Sequence, residues 1–333
     1  MTEPSPLRER LLDIRDLVVQ FEGRRGTVRA LDHVSLHVNA GEILGIVGES
    51  GAGKSITGAA VMGLIDPPGR IAGGEIRLCG QRIDNLSPAD MRAVRGRVVG
   101  MIFRDPLTSL NPLFTIGQQL VETIRTHLAL SAAGARERAI ALLAETGIAA
   151  PEARFDQYPH QFSGGMRQRV VIALALAAEP RGVIADEPTT ALDVSVQAQI
   201  IELLRRLCRA RGAVVMLVTH DMGVIAAACD RVAVMYAGRV VEVGELAAVV
   251  RRPSHPYTAG LMAAIPSLGK RVQRLAQIDG AMPRLDAIPA GCAFHPRCMQ
   301  AFEPCSVRRP PLVRVARAEA ACWLHAQDAR NAP

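Results

Sequence analysis

Residues 48–55 read Gly48-Glu49-Ser50-Gly51-Ala52-Gly53-Lys54-Ser55, and an apolar run, residues 43–47, immediately precedes them. A segment with helical periodicity begins at Ser55. Glycines at this spacing let the backbone turn tightly, so that successive amide groups point at phosphate oxygens, and the start of the helix adds its positive dipole end. The spelling and the strand–helix context together predict a phosphate-binding loop, with contacts that run from Gly48 to Ile56.

Lys54 and Ser55 are the side chains of this loop that carry the expected chemistry. We expect Lys54 to reach the β- and γ-phosphates of a nucleotide and Ser55 to hold Mg²⁺. Among 39 basic residues only Lys54 and Lys270 are lysine, so a lysine here is not explained by composition. The alternative interpretation is a glycine-rich turn that contains a lysine by chance.

Two carboxylates, Asp186 and Glu187, end a second apolar run. Asp186 fits the Mg²⁺ position, and Glu187 fits the base that polarises the attacking water. His220 ends the next apolar run, and we expect it to contact the γ-phosphate rather than to serve a purely structural role. Because ligands gather at the carboxyl ends of parallel strands, these side chains are expected to meet Lys54. The sequence therefore predicts a phosphate-loop nucleoside triphosphatase.

The remaining pattern predicts an α/β fold. Residues 11–38 alternate apolar and polar side chains, which indicates antiparallel strands with one wet face. Helical stretches separate later runs that are almost continuously apolar, and such strands are covered on both faces. These runs are residues 43–47, 98–103, 183–185 and 213–219. A hairpin is expected around Tyr236-Ala237-Gly238.

The composition excludes several classes of protein. A chain of 333 residues with 49% hydrophobic and 21% charged residues can bury a core, and its apolar runs are too short to span a bilayer. The net charge is +7, but aromatics make up only 3% and the arginines are scattered, so nucleic acid is not an expected partner. The first residues lack a secretory pattern, and we expect a cytoplasmic chain with reduced cysteines.

A third motif narrows the class of nucleoside triphosphatase. Residues 161–169 read Gln161-Phe162-Ser163-Gly164-Gly165-Met166-Arg167-Gln168-Arg169. Ser163 can cap a helix that starts near Gly165, and a capped, glycine-exposed helix start is an anion site. The stretch resembles the signature motif of ABC ATPases. The resemblance implies that Ser163, Gly164 and Gly165 face the nucleotide held by an opposite subunit.

The same resemblance assigns two further residues and exposes one departure. Asp193 resembles the D-loop residue that couples the two sites of a cassette dimer. Phe21 resembles the aromatic that stacks on adenine, with an apolar core role as the alternative. Arg104 stands where the family normally has a glutamine that touches Mg²⁺ and the attacking water. A cation cannot ligate Mg²⁺, so the rate of hydrolysis at this site is left open.

Longer stretches resemble the ATP-binding subunits of dipeptide, oligopeptide and nickel importers. The resemblance implies ATP and Mg²⁺ as cofactors, a second cassette that is identical or not, two membrane permeases, indirectly a solute-binding protein, and a peripheral position at the cytoplasmic face of the inner membrane. Peptide is the expected solute. Nickel or another small solute, or a hydrolysis-impaired partner in an asymmetric heterodimer, are alternatives. The stretches are residues 103–112, 158–169, 185–194 and 255–258.

The resemblance also implies the domain organisation. We expect an α/β core of the phosphate-loop ABC ATPase type over residues 1–265, with an N-terminal antiparallel β-subdomain and a helical subdomain inserted at about residues 105–180. A cysteine-rich C-terminal extension is expected over residues 266–333. Its content of proline, arginine and cysteine predicts a separate tail with little regular structure. The permease is expected to dock on residues 105–112 and the helical insertion.

The extension contains Cys292, Cys298, Cys305 and Cys322. Clustered thiols in a cytoplasmic protein favour a metal over disulfides, and their spacing does not match a zinc ribbon. Similar tails in peptide-importer cassettes are associated with a [4Fe–4S] cluster, which four thiolates suit chemically. Zinc, free thiols and disulfides stay open as alternatives. The other cysteines, Cys79, Cys208 and Cys229, are expected to be buried and inert.

Two rival functions fit parts of the sequence. An ABC ATPase that acts on DNA or ribosomes usually carries long coiled-coil insertions, zinc modules or two cassettes in one chain, and none is apparent here. A regulatory module that holds ATP without hydrolysing it is supported only by Arg104.

Overall fold

The computed structural model describes residues 9–24, 26–190, 192–265 and 277–326. The predicted domain boundary at residue 266 lies outside these ranges. Within them the strands are, in chain order, β1 (Arg10–Gly23), β2 (Gly26–Asn39), β3 (Ile43–Val47), β4 (Gly69–Leu78), β5 (Gln81–Arg82), β6 (Val99–Ile102), β7 (Gly182–Asp186), β8 (Val214–Val218), β9 (Arg231–Tyr236), β10 (Arg239–Glu245), β11 (Val313–Val315) and β12 (Ala318–Ala320).

The helices connect these strands and cover the sheets. They are α1 (Lys54–Val61), α2 (Pro88–Val94), α3 (Pro106–Ser109), α4 (Ile116–His127), α5 (Ala132–Glu145), α6 (Pro151–Phe155), α7 (Gly164–Leu176), α8 (Val194–Ala210), α9 (Met222–Ala228), α10 (Leu246–Arg251), α11 (Pro256–Ala263) and α12 (Glu303–Val307). Among the described residues, no helix combines the length and the hydropathy needed to cross a membrane.

The central sheet has the strand order β11-β12-β10-β9-β3-β8-β7-β6. Neighbouring strands from β9 to β6 run parallel, and β3 and β8 are buried at every residue. The prediction that the continuous apolar runs form covered strands is therefore confirmed, as is the hairpin that joins β9 to β10. Because β3, β7 and β8 are adjacent and parallel, their carboxyl ends lie side by side.

The N-terminal strands form a second sheet with the order β2-β1-β4-β5, and all its pairings are antiparallel. This confirms the antiparallel pairing predicted for residues 11–38. The buried face of the sheet packs on the central sheet through a shared core that includes Ile14 of β1, Leu36 of β2, Leu44 of β3 and Val61 of α1. The two sheets thus pack against α1 between them.

Helices α3 to α7 fill the chain between β6 and β7. The side chain of Thr115 accepts a hydrogen bond from the Gln118 amide, and the Gln118 side-chain oxygen accepts one from the Thr115 amide, which fixes the start of α4. Along α4, Ile116 and Leu120 are fully buried in the core. Gly117 lets the Phe155 ring of α6 approach, because a Cβ atom at Gly117 would lie 2.3 Å from that ring.

The prediction that the tail is separate from the core is wrong for residues 277–326, although most of these residues do lie outside helices and strands. This segment contains α12 and the β11–β12 hairpin, and β12 pairs antiparallel with β10 in the central sheet. Strands of three residues are too short to leave a readable alternation in the sequence, and the partner of β12 lies about 75 positions away. The C-terminal extension is therefore continuous with the cassette core.

Replacing Gly117 with alanine tests the packing of α4 on α6. We expect Gly117→Ala to lower the free energy of unfolding by about 1–3 kcal/mol, because the added methyl group overlaps the buried Phe155 ring. The matched control is Gly134→Ala on α5, where the nearest atom to the new Cβ lies at an ordinary 3.5 Å, and where alanine is neutral or stabilising by up to about 1 kcal/mol. Urea unfolding midpoints compare the two variants. Equal midpoints would refute this packing.

Candidate active site

The phosphate-type loop joins β3 to α1, and glycine is required at three of its positions. Gly51 and Gly53 have φ angles of 82° and 102°, in the left-handed region that favours glycine. At Gly48, a Cβ atom would lie 2.2 Å from the carbonyl oxygen of Met235 in β9. The chain therefore turns directly from β3 into α1 with the loop pressed against a neighbouring strand.

Lys54 opens α1 and is buried, and its Nζ donates hydrogen bonds of 2.9 Å to the carbonyl oxygens of Gly48 and Glu49. Burial lowers the pKa of Lys54, while the nearby carboxylates of Glu187 and Asp186 act in the opposite direction. The ammonium group is held over the loop by two neutral acceptors. Phosphate oxygens can replace these acceptors, and because they are negatively charged they would stabilise the buried ammonium more strongly.

Ser55 and Asp186 form a second contact at the floor of the site. The Ser55 hydroxyl donates a 2.9 Å hydrogen bond to Oδ1 of Asp186, across 131 positions of sequence. Burial raises the pKa of Asp186, and the neighbouring Glu187 carboxylate raises it further. Hydroxyl and carboxylate oxygens are the hard ligands that Mg²⁺ prefers, so the pair fits the protein side of a magnesium site.

Of the two adjacent carboxylates, Asp186 and Glu187, Glu187 has the larger set of partners. Its backbone has a φ angle of 46°, and its amide donates to the carbonyl oxygen of Val218 at 2.8 Å, which ties it to β8. Oε1 lies 3.1 Å from Nδ1 of His220, and Oε2 accepts a 3.0 Å hydrogen bond from the Thr190 hydroxyl. Burial alone would raise the pKa of Glu187, but these hydrogen bonds and nearby positive charge lower it.

Arg104 follows β6 and reaches the same carboxylate. Its Nε lies 3.1 Å from Oε2 of Glu187, and 62% of its side chain is exposed. The Arg104 guanidinium therefore forms an ion pair with the carboxylate that sequence analysis assigns as the base. This contact could not be predicted, because the two residues follow different strands, β6 and β7, and the sequence shows only that glutamine is replaced.

These side chains surround one cleft of about 520 Å³, a size typical of small-molecule sites. Gly48 and Ala52 are buried, while Asp186 is half-buried behind Ser55. Two residues of the lining, Ala30 and Leu285, were missed by sequence analysis because neither belongs to a motif, and Leu285 comes from the extension. The lining consists of Ala30, Ser50, Gly51, Gly53, Lys54, Ser55, Ile56, Arg104, Glu187, His220 and Leu285.

Phe21 does not line this cleft. It lies on β1 and is half-buried against the core of the two sheets, where a Cβ atom at Gly69 would lie 2.6 Å from its ring. In the single chain, these contacts correspond to the core role that sequence analysis gave as the alternative for Phe21.

The signature residues also lie apart from the cleft of their own chain. Ser163 caps α7, with its hydroxyl oxygen accepting from the Met166 amide at 3.3 Å, and both Ser163 and Gly164 are exposed. Gly165 is half-buried beside α8. Asp193 precedes α8, is exposed, and makes no side-chain hydrogen bond to the start of that helix. The start of α7 and the start of α8 thus present neighbouring polar residues to solvent.

The cysteines of the extension converge. Cys292, Cys298, Cys305 and Cys322 line one small cavity, and the Cys292 amide donates to the Cys305 carbonyl oxygen at 2.8 Å. Burial raises the pKa of the Cys292 thiol to about 11. In the described parts of the chain, no three histidine, cysteine or acidic side chains are placed to hold a single metal ion. Outside the extension, the expectation of a buried thiol is wrong for Cys79, which is exposed at a turn.

Comparison with known proteins agrees with this architecture. A sequence profile described as ABC transporter matches residues 31–190, and one described as the C-terminal region of oligopeptide/dipeptide transporters matches residues 241–305. The chain is 46% identical to the dipeptide transport ATP-binding protein DppD of Escherichia coli, over 91% of this chain and 92% of that protein. It is 47% identical to the oligopeptide transport ATP-binding protein OppD of Bacillus subtilis, over 96% of this chain and 90% of that protein.

Solved structures show the same core. The ATP-binding cassette MJ0796, determined as a dimer in a post-hydrolysis state with ADP and Pi, superposes with a TM-score of 0.64 at 29% identity, over 71% of this chain and 98% of that chain. The structure of cbiO1 from Clostridium perfringens gives a TM-score of 0.63 at 28% identity, over 73% and 92%. Two profiles, relatives matched along nearly their full length and the shared cassette fold agree. The chain belongs to the ABC transporter family, among the ATP-binding subunits of the dipeptide and oligopeptide transporter group.

Proposed function

We propose that this chain binds and hydrolyses ATP with Mg²⁺ and thereby drives the import of di- or oligopeptides through partner permeases. The observation that carries the proposal is the convergence of Lys54, the Ser55–Asp186 pair and the Glu187–His220 pair on one cleft. The relatives named as dipeptide and oligopeptide transport proteins support the solute class. Import of nickel or another small solute by the same machinery is the alternative.

The phosphate end of ATP would occupy the loop between β3 and α1. Lys54 would exchange its two carbonyl acceptors for the β- and γ-phosphate oxygens, and the loop amides and the start of α1 would hold the remaining negative charge. Ser55 and Asp186 would hold Mg²⁺, which offsets the phosphate charge when bound. Burial raises the pKa of Asp186 because it disfavours the charged carboxylate. A cation bound beside Asp186 would stabilise that charge.

Glu187 would accept a proton from the attacking water. Its lowered pKa keeps the carboxylate ionised at neutral pH, so the side chain is ready to accept a hydrogen bond from water. His220 and Thr190 fix the two carboxylate oxygens, and His220 also borders the cleft where the γ-phosphate would lie. The same contacts that lower the pKa therefore orient the base.

A second cassette would complete the site. The starts of α7 and α8, with Ser163, Gly164, Gly165 and Asp193, do not line the cleft of their own chain, and all but Gly165 are exposed. Val194 is 84% exposed beside Asp193, which fits a surface that a partner covers. The dimer reported for the MJ0796 cassette supports this arrangement. ATP held between two such chains would close the pair.

The permease would bind where exposed apolar side chains flank Arg104 in the sequence. Leu107 and Leu113 are among the most exposed large apolar residues of the described chain, and Phe103 and Phe114 are about half exposed. Several exposed apolar side chains within one short stretch of chain favour a protein contact there. Its proximity to the Arg104–Glu187 pair would connect permease movement to the cleft, and the chain would then sit peripherally at the cytoplasmic face of the membrane.

The extension cysteines would hold a [4Fe–4S] cluster. Four thiols around one cavity match the number of thiolates that such a cluster takes. Zinc held by the same thiols is the alternative. The cysteines come from separate turns, so a bound cluster would cross-link the extension.

Metal content of the anaerobically purified chain tests the cluster. We expect about four iron atoms and matching acid-labile sulfide per chain, with absorbance in the visible region. Cys298→Ser should remove most of the iron, while the control Cys79→Ser, outside the extension, should retain it. Zinc in place of iron, or no metal in the untreated chain, would refute the assignment.

Two substitutions separate nucleotide binding from hydrolysis. Lys54→Ala should abolish measurable Mg·ATP binding, since no other cation reaches the loop from α1. Glu187→Gln should retain Mg·ATP binding and lower ATP turnover by about 10²–10⁴-fold, because the amide cannot take a proton from water. Binding is measured on the chain alone, and turnover with the partner subunits. Glu202→Gln on the exposed face of α8 is the control. Unaltered turnover in Glu187→Gln would exclude the proposed base.

Substitution of Arg104 tests whether this residue slows ATP hydrolysis. Its ion pair occupies Oε2 of Glu187, so Arg104→Gln should release the base and raise ATP turnover by about 5-fold or more in the assembled transporter. Arg104→Lys keeps the positive charge and should stay near the parent rate. Should the glutamine variant match the parent, Arg104 does not handicap hydrolysis, and the alternative of an impaired partner in an asymmetric heterodimer loses its support.

A further inference from the structure

Arg297 of the extension contacts the phosphate loop. Its Nη1 lies 2.9 Å from Oε1 and 3.1 Å from Oε2 of Glu49, the second residue of the loop. The Arg297 side chain is only 8% exposed, and that of Glu49 is 28% exposed. The two residues are separated by 248 positions, so the pair joins the far end of the chain to the proposed nucleotide site.

The remaining donors of Arg297 fasten a second part of the extension. Nε donates to the Asp279 carbonyl oxygen at 2.8 Å, and Nη2 donates to the carbonyl oxygens of Ile278 and Gly280 at 3.3 and 3.2 Å. Nη1 also reaches the Tyr236 hydroxyl at 3.3 Å. One buried guanidinium therefore links the phosphate loop, the end of β9 and residues 278–280.

The segment that Arg297 fastens continues into the cleft. A Cβ atom at Gly51 of the phosphate loop would lie 3.3 Å from Cε of Met282, and Leu285 lines the cleft beside Lys54 and Ser55. Residues 278–285 thus form part of the wall of the proposed nucleotide site. Movement of this segment would change the space next to the phosphate loop.

A buried aromatic cluster holds the same loop residue by its backbone. The Glu49 amide donates a 2.9 Å hydrogen bond to the hydroxyl oxygen of Tyr257. The Tyr257 ring packs on Tyr236 with ring centres 4.7 Å apart, and Phe294 of the extension lies 5.3 Å from both rings. Both the side chain and the backbone of Glu49 are therefore fixed by groups that the extension supplies or supports.

The negative charge of Glu49 would oppose phosphate binding if it were not paired. A carboxylate on a loop that is to receive phosphate groups repels them unless a cation neutralises it, and the repulsion is strong where burial excludes water. Arg297 supplies that cation and turns the carboxylate toward the extension. Without it, the loop would carry an unpaired negative charge next to the phosphates.

We propose that Arg297 is a positioning residue through which the C-terminal extension sets the affinity of the phosphate loop for ATP, acting by neutralising and holding Glu49. This inference rests on the proposed ATP site. It assigns to the extension a role in nucleotide binding that is separate from any group its cysteines hold. Coupling between two sites is reciprocal, so bound ATP must in turn stabilise the extension around Arg297.

A double-mutant cycle on the full-length chain tests the inference. Arg297→Met should weaken Mg·ATP binding by about 10-fold, and Glu49→Gln should change it by less than about 3-fold. The double variant should return to within about 3-fold of the parent, because no unpaired carboxylate remains. In the assembled transporter, Arg297→Met should raise the KM for ATP and leave kcat within about 2-fold. A double variant as weak as Arg297→Met would overturn the inference, because the loss would then come from packing alone.

Controls separate this result from other causes. Arg309→Met removes another arginine of the extension, one that pairs with buried Asp32; neither residue lines the cleft, so the variant should leave ATP affinity unchanged. Lys54→Ala should abolish binding. A parent chain that binds no Mg·ATP would refute the proposed function itself, whereas a normal parent with an unaltered Arg297→Met variant would refute only the inference.

Hydrogen exchange gives a readout that needs no variant. Saturating Mg·ATP should slow amide exchange in residues 277–300 of the parent chain by about 3-fold or more, while exchange in α5 should not change. Equal exchange in residues 277–300 with and without nucleotide would overturn the inference even if Arg297→Met failed to fold.

Discussion

The architecture depends on a steric constraint at the end of β3, where the chain must enter α1 within the space left by a carbonyl oxygen of β9. No side chain fits at Gly48, so the turn is tight and its direction is fixed. That direction aims Lys54 and Ser55 at the carboxyl ends of the adjacent parallel strands, where Asp186 and Glu187 emerge. Groups separated by more than a hundred positions meet because neighbouring strands run the same way.

The sequence predicts those parts of the site whose signal is local. The glycine spacing around Lys54, the carboxylates that end β7 and the apolar runs of the central sheet are each readable within about ten residues. Contacts between distant segments leave no such signal. The pairing of Arg297 with Glu49 and the position of Leu285 follow from how the extension folds back, and no pattern in its sequence encodes that path. Phe21 shows the same limit, since alternation places it on a strand without saying what it packs against.

Two arginines contact acidic residues of the site, and their surroundings give them different characters. Arg104 is largely exposed, so its pair with Glu187 is screened by water and can exchange readily for another partner. Arg297 is buried and has an acceptor for each of its donor nitrogens, so breaking its pair with Glu49 would leave charges without solvent. The first therefore suits a contact that changes during a cycle, and the second suits a fixed support.

The antiparallel pairing of β12 with β10 has a consequence for the solution behaviour of the cassette. A sheet that stopped at β10 would present a row of unsatisfied backbone amides and carbonyls, which readily recruit strands from other molecules. Strand β12 of the short β11–β12 hairpin pairs with β10 along part of that edge. The outer strand, β11, has only three residues, which are too few to pair efficiently with a strand of another molecule. A fragment cut after α11 would lack this hairpin. Its tendency to form oligomers and aggregates would result from the exposed edge of β10 rather than from a poorly folded core.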